Sequence, residues 1–293
     1  MNNHKYKNYF QLHFIVLLLG FTAILGKLIS IPAVELVWYR TLIAAFSLFV
    51  YLKFKGISLK VPIKELLKIM GIGLIVAAHW ICFFNAIKVS NVSVTLGCLA
   101  SGTLFTSFLE PLSQKRKIFW VEVVLGIIII IGLYLIFQFE TNYTLGIIFA
   151  LIAAFLSSLF TVLNKNISNK FNANVVSFYE MLAGFIGICI YMIFTQSFSN
   201  YNLTVNTVDI ICLVILAVVC TSYAFAATVE LMKEISAFIV VLSINLEPVY
   251  GILLAFFIFG ESEHMTSGFY FGTIIILAAV FSYPLLKRKF ERV

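Results

Sequence analysis

An amide, an acid and a proline sit together deep in an apolar run. Asn245, Glu247 and Pro248 lie halfway along 235–259, a stretch otherwise rich in Val, Leu, Ile and Phe. A charge at the centre of a bilayer costs about 2.5–3.5 kcal/mol on insertion scales, so a partner or water in a cavity must offset it. Proline removes a backbone N–H and kinks a helix, which here would free the carbonyl of Ile244. A carboxylate, an amide and a loose carbonyl at one depth suit a cation, an ammonium group or a proton. The plain alternative is a structural kink with Glu247 hydrogen-bonded to a neighbouring helix.

Four more groups belong with it. His79-Trp80 falls near the middle of 66–88. Imidazole changes charge near neutral pH and the indole offers a wide apolar face, so the pair reads as a cavity wall touching cargo, or as a proton relay to Glu247; the alternative is a packing histidine beside an interhelical tryptophan. Arg40 and Glu180 carry opposite charges early in 34–53 and 173–196. Each is read as lining one mouth of a cavity, the two mouths closing through ion pairs in alternate states, against simple snorkelling to the headgroups. Tyr39, Tyr179 and Tyr223 could stack on cargo or anchor helices at the interface. Lys27 is explained by snorkelling alone.

These residues need a scaffold made almost wholly of apolar helices. Of the 293 residues 62% are hydrophobic and 11% charged. A spanning helix takes about 20 mostly apolar residues, and its backbone polar groups must be satisfied within the segment. Ten such spans are predicted, at 12–30, 34–53, 66–88, 92–114, 118–138, 144–164, 173–196, 207–229, 235–259 and 266–286. The fold class expected is an all-α membrane protein, and no soluble catalytic domain fits between the spans.

The net charge of +7 marks a membrane face rather than a nucleic-acid partner. Lys5 and Lys7, the five lysines from Lys53 to Lys68, Lys115 to Lys117, Lys165 and Lys170, Lys233, and the basic C-terminal tail all fall on one side of a ten-span chain. The opposite loops carry Glu35, Glu140, Asp209, Glu261 and Glu263, with Lys88 their only cation. Positive loops stay inside, so both termini are expected in the cytoplasm. The basic start and apolar run at the N-terminus lack a small-residue cleavage site, and Lys27 interrupts the run; it is read as a retained first helix. Cys82, Cys98, Cys189, Cys212 and Cys220 all lie inside spans without metal-ligand spacing and are read as apolar packers.

The chain also repeats itself. Tyr39 and Leu42 align with Tyr179 and Leu182, Val92-Ser93-Val94 with Ile235-Ser236-Ala237, and Gly126-Ile127-Ile128 with Gly272-Thr273-Ile274. The halves are 1–139 and 140–293, five spans each. An odd span count reverses the second copy, and inverted repeats are a hallmark of secondary carriers, with the cargo site at the midplane between the halves.

On the run from Gly20 to Leu28, the run from Tyr39 to Ala45, the Ser-containing turns before spans four and nine, and the ending Phe259-Gly260-Glu261, the chain resembles the EamA family of the drug/metabolite transporter superfamily. The resemblance covers both halves. It implies ten helices, a central cavity built by eight of them, the fifth and tenth helices set behind, and export of amino acids, other small metabolites or toxic compounds from bacteria. The chain departs from the family at the fourth span, where Ser101-Gly102 replaces the proline often found there.

The expectation is therefore an inner-membrane secondary transporter of a small metabolite, exporting by alternating access. Its substrate-binding residues would be His79, Trp80, Glu247, Asn245, Arg40, Glu180, Tyr39, Tyr179 and Tyr223. Its partners would be a small molecule and the lipid bilayer, with proton coupling as an available energy source and no metal or cofactor. A multidrug or toxic-cation exporter and a passive facilitator are the nearer alternatives. An intramembrane enzyme is the remote one, because no H-E-x-x-H, G-x-S-x-G or P-loop pattern occurs. Cargo identity, direction, coupling and oligomeric state are open at this level.

Overall fold

The computed structural model describes residues 2–115, 117, 119–195, 203–244 and 246–290. They form helices joined by short turns, with no strand among the described residues. In order these are α1 (Asn2–Leu28), α2 (Ala33–Phe54), α3 (Ile63–Val89), α4 (Val92–Leu99), α5 (Gly102–Gln114), α6 (Trp120–Phe139), α7 (Thr144–Ser168), α8 (Ala173–Thr195), α9 (Thr207–Ala217), α10 (Ala224–Leu231), α11 (Ala237–Ile244), α12 (Glu247–Phe259) and α13 (Ser267–Phe290). Eight helical stretches among the described residues are long and apolar enough to cross a membrane. The predicted ninth span contains α11 and α12, with Asn245 between them outside the described residues; the predicted tenth corresponds to α13, whose apolar part is the shorter Ser267–Tyr283. Large apolar side chains such as Phe54, Ile131, Tyr134 and Phe257 cover the outside, as a lipid-facing surface requires.

Two breaks position the site. The fourth predicted span is α4 and α5 with a turn at Ala100–Ser101. No proline lies at this break; Ser158 Oγ on α7 donates to the Gly102 carbonyl at 2.7 Å and so ties the start of α5 to α7. The second break precedes α12. Pro248 is therefore not inside a kinked helix, as the sequence suggests. It lies in the first turn of a new one, where its missing N–H costs nothing. Glu247 opens that turn, where the helix dipole favours an acid. The paired breaks face each other, since α12 packs on α4 and α11 on α5.

A third irregularity interrupts the predicted eighth span. Val218–Tyr223 forms a π-helical turn between α9 and α10. Thr221 Oγ1 donates to the Leu216 carbonyl at 2.7 Å and Ser222 Oγ to that of Ala217 at 3.0 Å, both five residues back. Such bulges re-aim side chains and gather at functional sites.

Helices α6 and α13 pack along each other, burying Leu125, Ile129 and Ile136 against Phe269, Ile276 and Val280. The main core lies elsewhere, among α1, α2, α3, α8 and α9. Close approaches hold α12 and α8 in place. Gly20 on α1 lies against the backbone of Glu247 and Gly251, where an added methyl group would sit 3.4 Å from both. Gly73 on α3 lies against Glu180, with an added methyl 2.6 Å from the Glu180 Cα. Backbone cannot yield as a flexible side chain does, so Gly73→Ala must part α3 from α8. Overpacking of this kind costs about 1–3 kcal/mol. A lowered thermal-unfolding midpoint in detergent is expected; an unchanged midpoint would mean the two helices separate freely.

Candidate functional site

Between the breaks and the π-turn lies a cavity of about 90 Å³, space for roughly six to nine water positions at about 10–15 Å³ each. That is the scale of a small metabolite. Its wall is Leu19 and Thr22 of α1, Arg40 of α2, His79, Trp80 and Phe83 of α3, Leu99 and Gly102 at the first break, and Glu247 at the second. Ser157, Phe160, Thr161 and Asn164 of α7, Cys220 of the π-turn and Phe225 and Thr228 of α10 complete most of it. No described residue of α6, α8 or α13 lines the cavity. Among the described residues, helices α6 and α13, which pack on each other, stay out of the wall, as do α8 and α9.

Arg40 is 1% exposed. Its guanidinium carbon sits 3.7 Å from the Trp80 ring centroid and 5.5 Å from that of Phe84, a cation–π arrangement strengthened by desolvation. Its Nε donates to Thr221 Oγ1 at 2.7 Å, which is what the π-turn achieves. Its Nη1 has no hydrogen-bond partner. Glu247 is also buried and lines the same cavity; the two charges act on each other without a direct ion pair. A guanidinium and a carboxyl group therefore look into one hollow with room between them.

His79 stands beside them. Its Nδ1 lies 2.8 Å from the Ala153 carbonyl. A carbonyl only accepts, so Nδ1 donates, and the neutral ring keeps Nε2 as an acceptor. Phe83 and Phe160 pack on the ring at 6.1 and 5.4 Å between centroids. The ionisable groups Arg40, His79 and Glu247 thus share the wall with the neutral polar Thr22, Ser157, Thr161, Asn164 and Thr228, and Trp80, Phe83, Phe160 and Phe225 give it aromatic faces.

The other predicted site residues lie elsewhere. Tyr39 donates through its hydroxyl to the Leu203 carbonyl and Tyr179 to the Leu59 carbonyl, each at 2.8 Å. These tyrosines tie down the connections before α9 and before α3. Tyr223 is 47% exposed and packs edge-on against Phe14. Glu180 is fully buried outside the cavity wall and makes no ion pair with Arg40. Lys27 does not snorkel freely: its Nζ meets Glu263 at 2.6 Å and Ser262 at 2.9 Å.

Sequence reasoning passed over Thr221, whose only signal was a hydroxyl pair, Thr221-Ser222, at mid-span, and Glu263, read as one of several loop acids. Glu263 also accepts from the backbone N–H groups of Val92 and Ser93 and from Ser93 Oγ. It caps α4, whose other end reaches the cavity at Leu99.

Comparison with known proteins agrees with this architecture. The EamA-like transporter family matches twice, over residues 9–138 and 144–285. No curated protein matches. One solved crystal structure, of a protein not further described, aligns with a TM-score of 0.71 at 16% identity over 96% of this chain and 98% of that one. At such identity the likeness concerns the fold alone.

Proposed function

The chain belongs to the EamA-like transporter family of the drug/metabolite transporter superfamily, and on that footing we propose that it is a secondary carrier for a small zwitterionic metabolite of the amino-acid class. It is a multi-pass membrane transporter of that type; family members are transporters rather than enzymes. The observation that carries the finer reading is the juxtaposition of Arg40, His79 and Glu247 in one hollow. Arg40 offers an unpartnered Nη1 to a carboxylate, a group that guanidinium grips well. Glu247 offers a carboxylate to an ammonium group, and Trp80 and Phe160 take the apolar part.

The proposed frame is ten spans in two inverted five-span halves, 1–139 and 140–293, with both termini in the bacterial cytoplasm and export by alternating access. The doubled family match, the charge bias of the loops and the facing helix breaks support it. Tyr39 and Tyr179, at matching positions, support it also, each pinning the connection ahead of a third span. A toxic-cation exporter is the second reading, favoured by the aromatic side chains in the cavity wall and opposed by Arg40, which would repel such cargo.

The test is counterflow of a panel of labelled L-amino acids into proteoliposomes, with Glu247→Gln and His79→Ala beside wild type. Loss of a hydrogen bond to a charged group costs about 1.5–3 kcal/mol, so affinity should fall by roughly 10- to 150-fold in Glu247→Gln. Wild-type rate and affinity in both variants would remove these residues from the site.

A further inference from the structure

Behind the cavity wall lies a second polar cluster that cargo binding does not use. Glu180 on α8 is 0% exposed and both its carboxyl oxygens lack hydrogen-bond partners. Asn164 on α7 is likewise 0% exposed, with Oδ1 and Nδ2 unpartnered. Ser177, one helical turn before Glu180, is 1% exposed with its hydroxyl unpartnered. Buried polar atoms are almost always satisfied, so this many orphans in one place need a reason. Asn164 is the group that acts on the Glu180 carboxyl, though no hydrogen bond closes between them. Asn164 also lines the cavity. The amide is thus a partition with the cargo hollow on one side and the acid on the other.

Resting on the transporter reading, we propose that Glu180, with Asn164 and Ser177, is a reversible proton-binding site set behind the cargo cavity and reached through the Asn164 side chain. An ionised carboxylate here has nothing to offset its burial. The elements packed most heavily against α8 are α2, α3 and α10, and α7 reaches Glu180 through Asn164, its Lys165 being committed to the carbonyls of Met232 and Ile235. Arg40 of α2 is committed to Trp80 and Thr221, and His79 of α3 to Ala153. Glu65 of α3 pairs with Lys68, and Glu230 of α10 with Lys233. None of these charges acts on Glu180. A metal cation is the poorer occupant. Sodium sites in carriers draw on unwound backbone carbonyls, whereas α8 runs unbroken from Ala173 to Thr195 through Glu180. Protonation needs only a proton arriving at one carboxyl oxygen. The orphan amide can donate to the carboxylate form and accept from the acid form, so Asn164 serves both states. In the repeat, Glu180 answers Arg40: one position faces cargo and its counterpart holds the proton.

The experiment is infrared spectroscopy of the purified full chain in detergent through an alkaline and acid cycle, in sodium and in choline buffers. The wild type is expected to show a protonated-carboxyl band that vanishes and returns with pH, identically in both salts. The band should be absent in Glu180→Gln and retained in Glu247→Gln. It should shift in Asn164→Leu, which keeps the reading available if Glu180→Gln does not fold. A band that persists in Glu180→Gln, does not shift in Asn164→Leu, never titrates while the chain stays folded, or is displaced by sodium overturns the proposal. No cargo enters the measurement, so a negative result leaves the proposed transport untouched, and a failed transport assay leaves this site untouched.

Discussion

Replacing Arg40 by Met is expected to depress both the folded yield and transport, and adding Glu247→Gln to it is expected to restore the first without the second. The two charges share one cavity wall and act on each other across it. Removing one of two buried charges leaves the other uncompensated, at about 1–3 kcal/mol here, less than for a direct buried ion pair because none closes between them. That is a shift of roughly 5- to 150-fold in the folded ratio. Met fills much of the Arg40 volume between Trp80 and Phe84, so the loss reports charge rather than a hole. Neutralising Glu247 then removes the stranded anion, and a positive coupling energy should appear in the double-mutant cycle of thermal stability. Transport should stay lost, since neither end of a zwitterion is gripped. Arg40→Lys should fall between: an ammonium keeps the charge but neither stacks flat on Trp80 nor holds the Nε bond to Thr221. Equal stability of Arg40→Met and Arg40→Met/Glu247→Gln would show that the two charges do not sense each other.

The costliest residues were legible from sequence because the bilayer makes them so. Arg40, His79 and Glu247 stand in apolar runs where a charge or imidazole has to find a partner, and all three look into one cavity. Trp80 was legible beside His79 for the same reason. Residues with two roles of equal cost were not. Tyr39 and Tyr179 have the side chain of a stacking residue and also that of a strap, and their hydroxyls took the carbonyls of Leu203 and Leu59. Which role wins depends on loops that no local pattern places. The π-turn was hidden because Val218–Tyr223 has the composition of ordinary helix; only the five-residue step of its hydroxyl bonds distinguishes it. The fourth-span break was hidden because the contact that fixes the start of α5, Ser158 to Gly102, spans 56 residues. The loop acids entered the sequence reading only as a charge bias, and their structural work stayed hidden, since Lys27 and Glu263 are 236 residues apart.

Glu263→Ala is the second substitution expected to have a large effect, on stability first and on transport through it. One carboxylate here replaces water for donors on two separate helices, α1 and α4. It accepts from Lys27 Nζ on α1 at 2.6 Å, from the Val92 and Ser93 amides of α4 at 3.1 and 2.8 Å, and from Ser93 Oγ at 2.8 Å. Those amides are orphans of a helix N-terminus, where an acid also meets the helix dipole. Asn91 caps the same end through Val94, but it cannot reach the donors Glu263 serves. The acid side chain is fully buried while Lys27 is 24% exposed, so the lysine can recover water and the amides cannot. The loss should therefore follow the amides: several kcal/mol at about 1–3 kcal/mol per buried group left unsatisfied. Lys27→Met alone should cost less than Glu263→Ala, and Glu263→Gln should keep part of the cap while losing the ion pair. Because α4 runs from this cap to Leu99 in the cavity wall, fraying at Val92 reaches the cargo site, and transport should fall in step with the unfolding midpoint. Glu263→Ala as stable as Lys27→Met would assign the stabilisation to the ion pair and not to the helix cap.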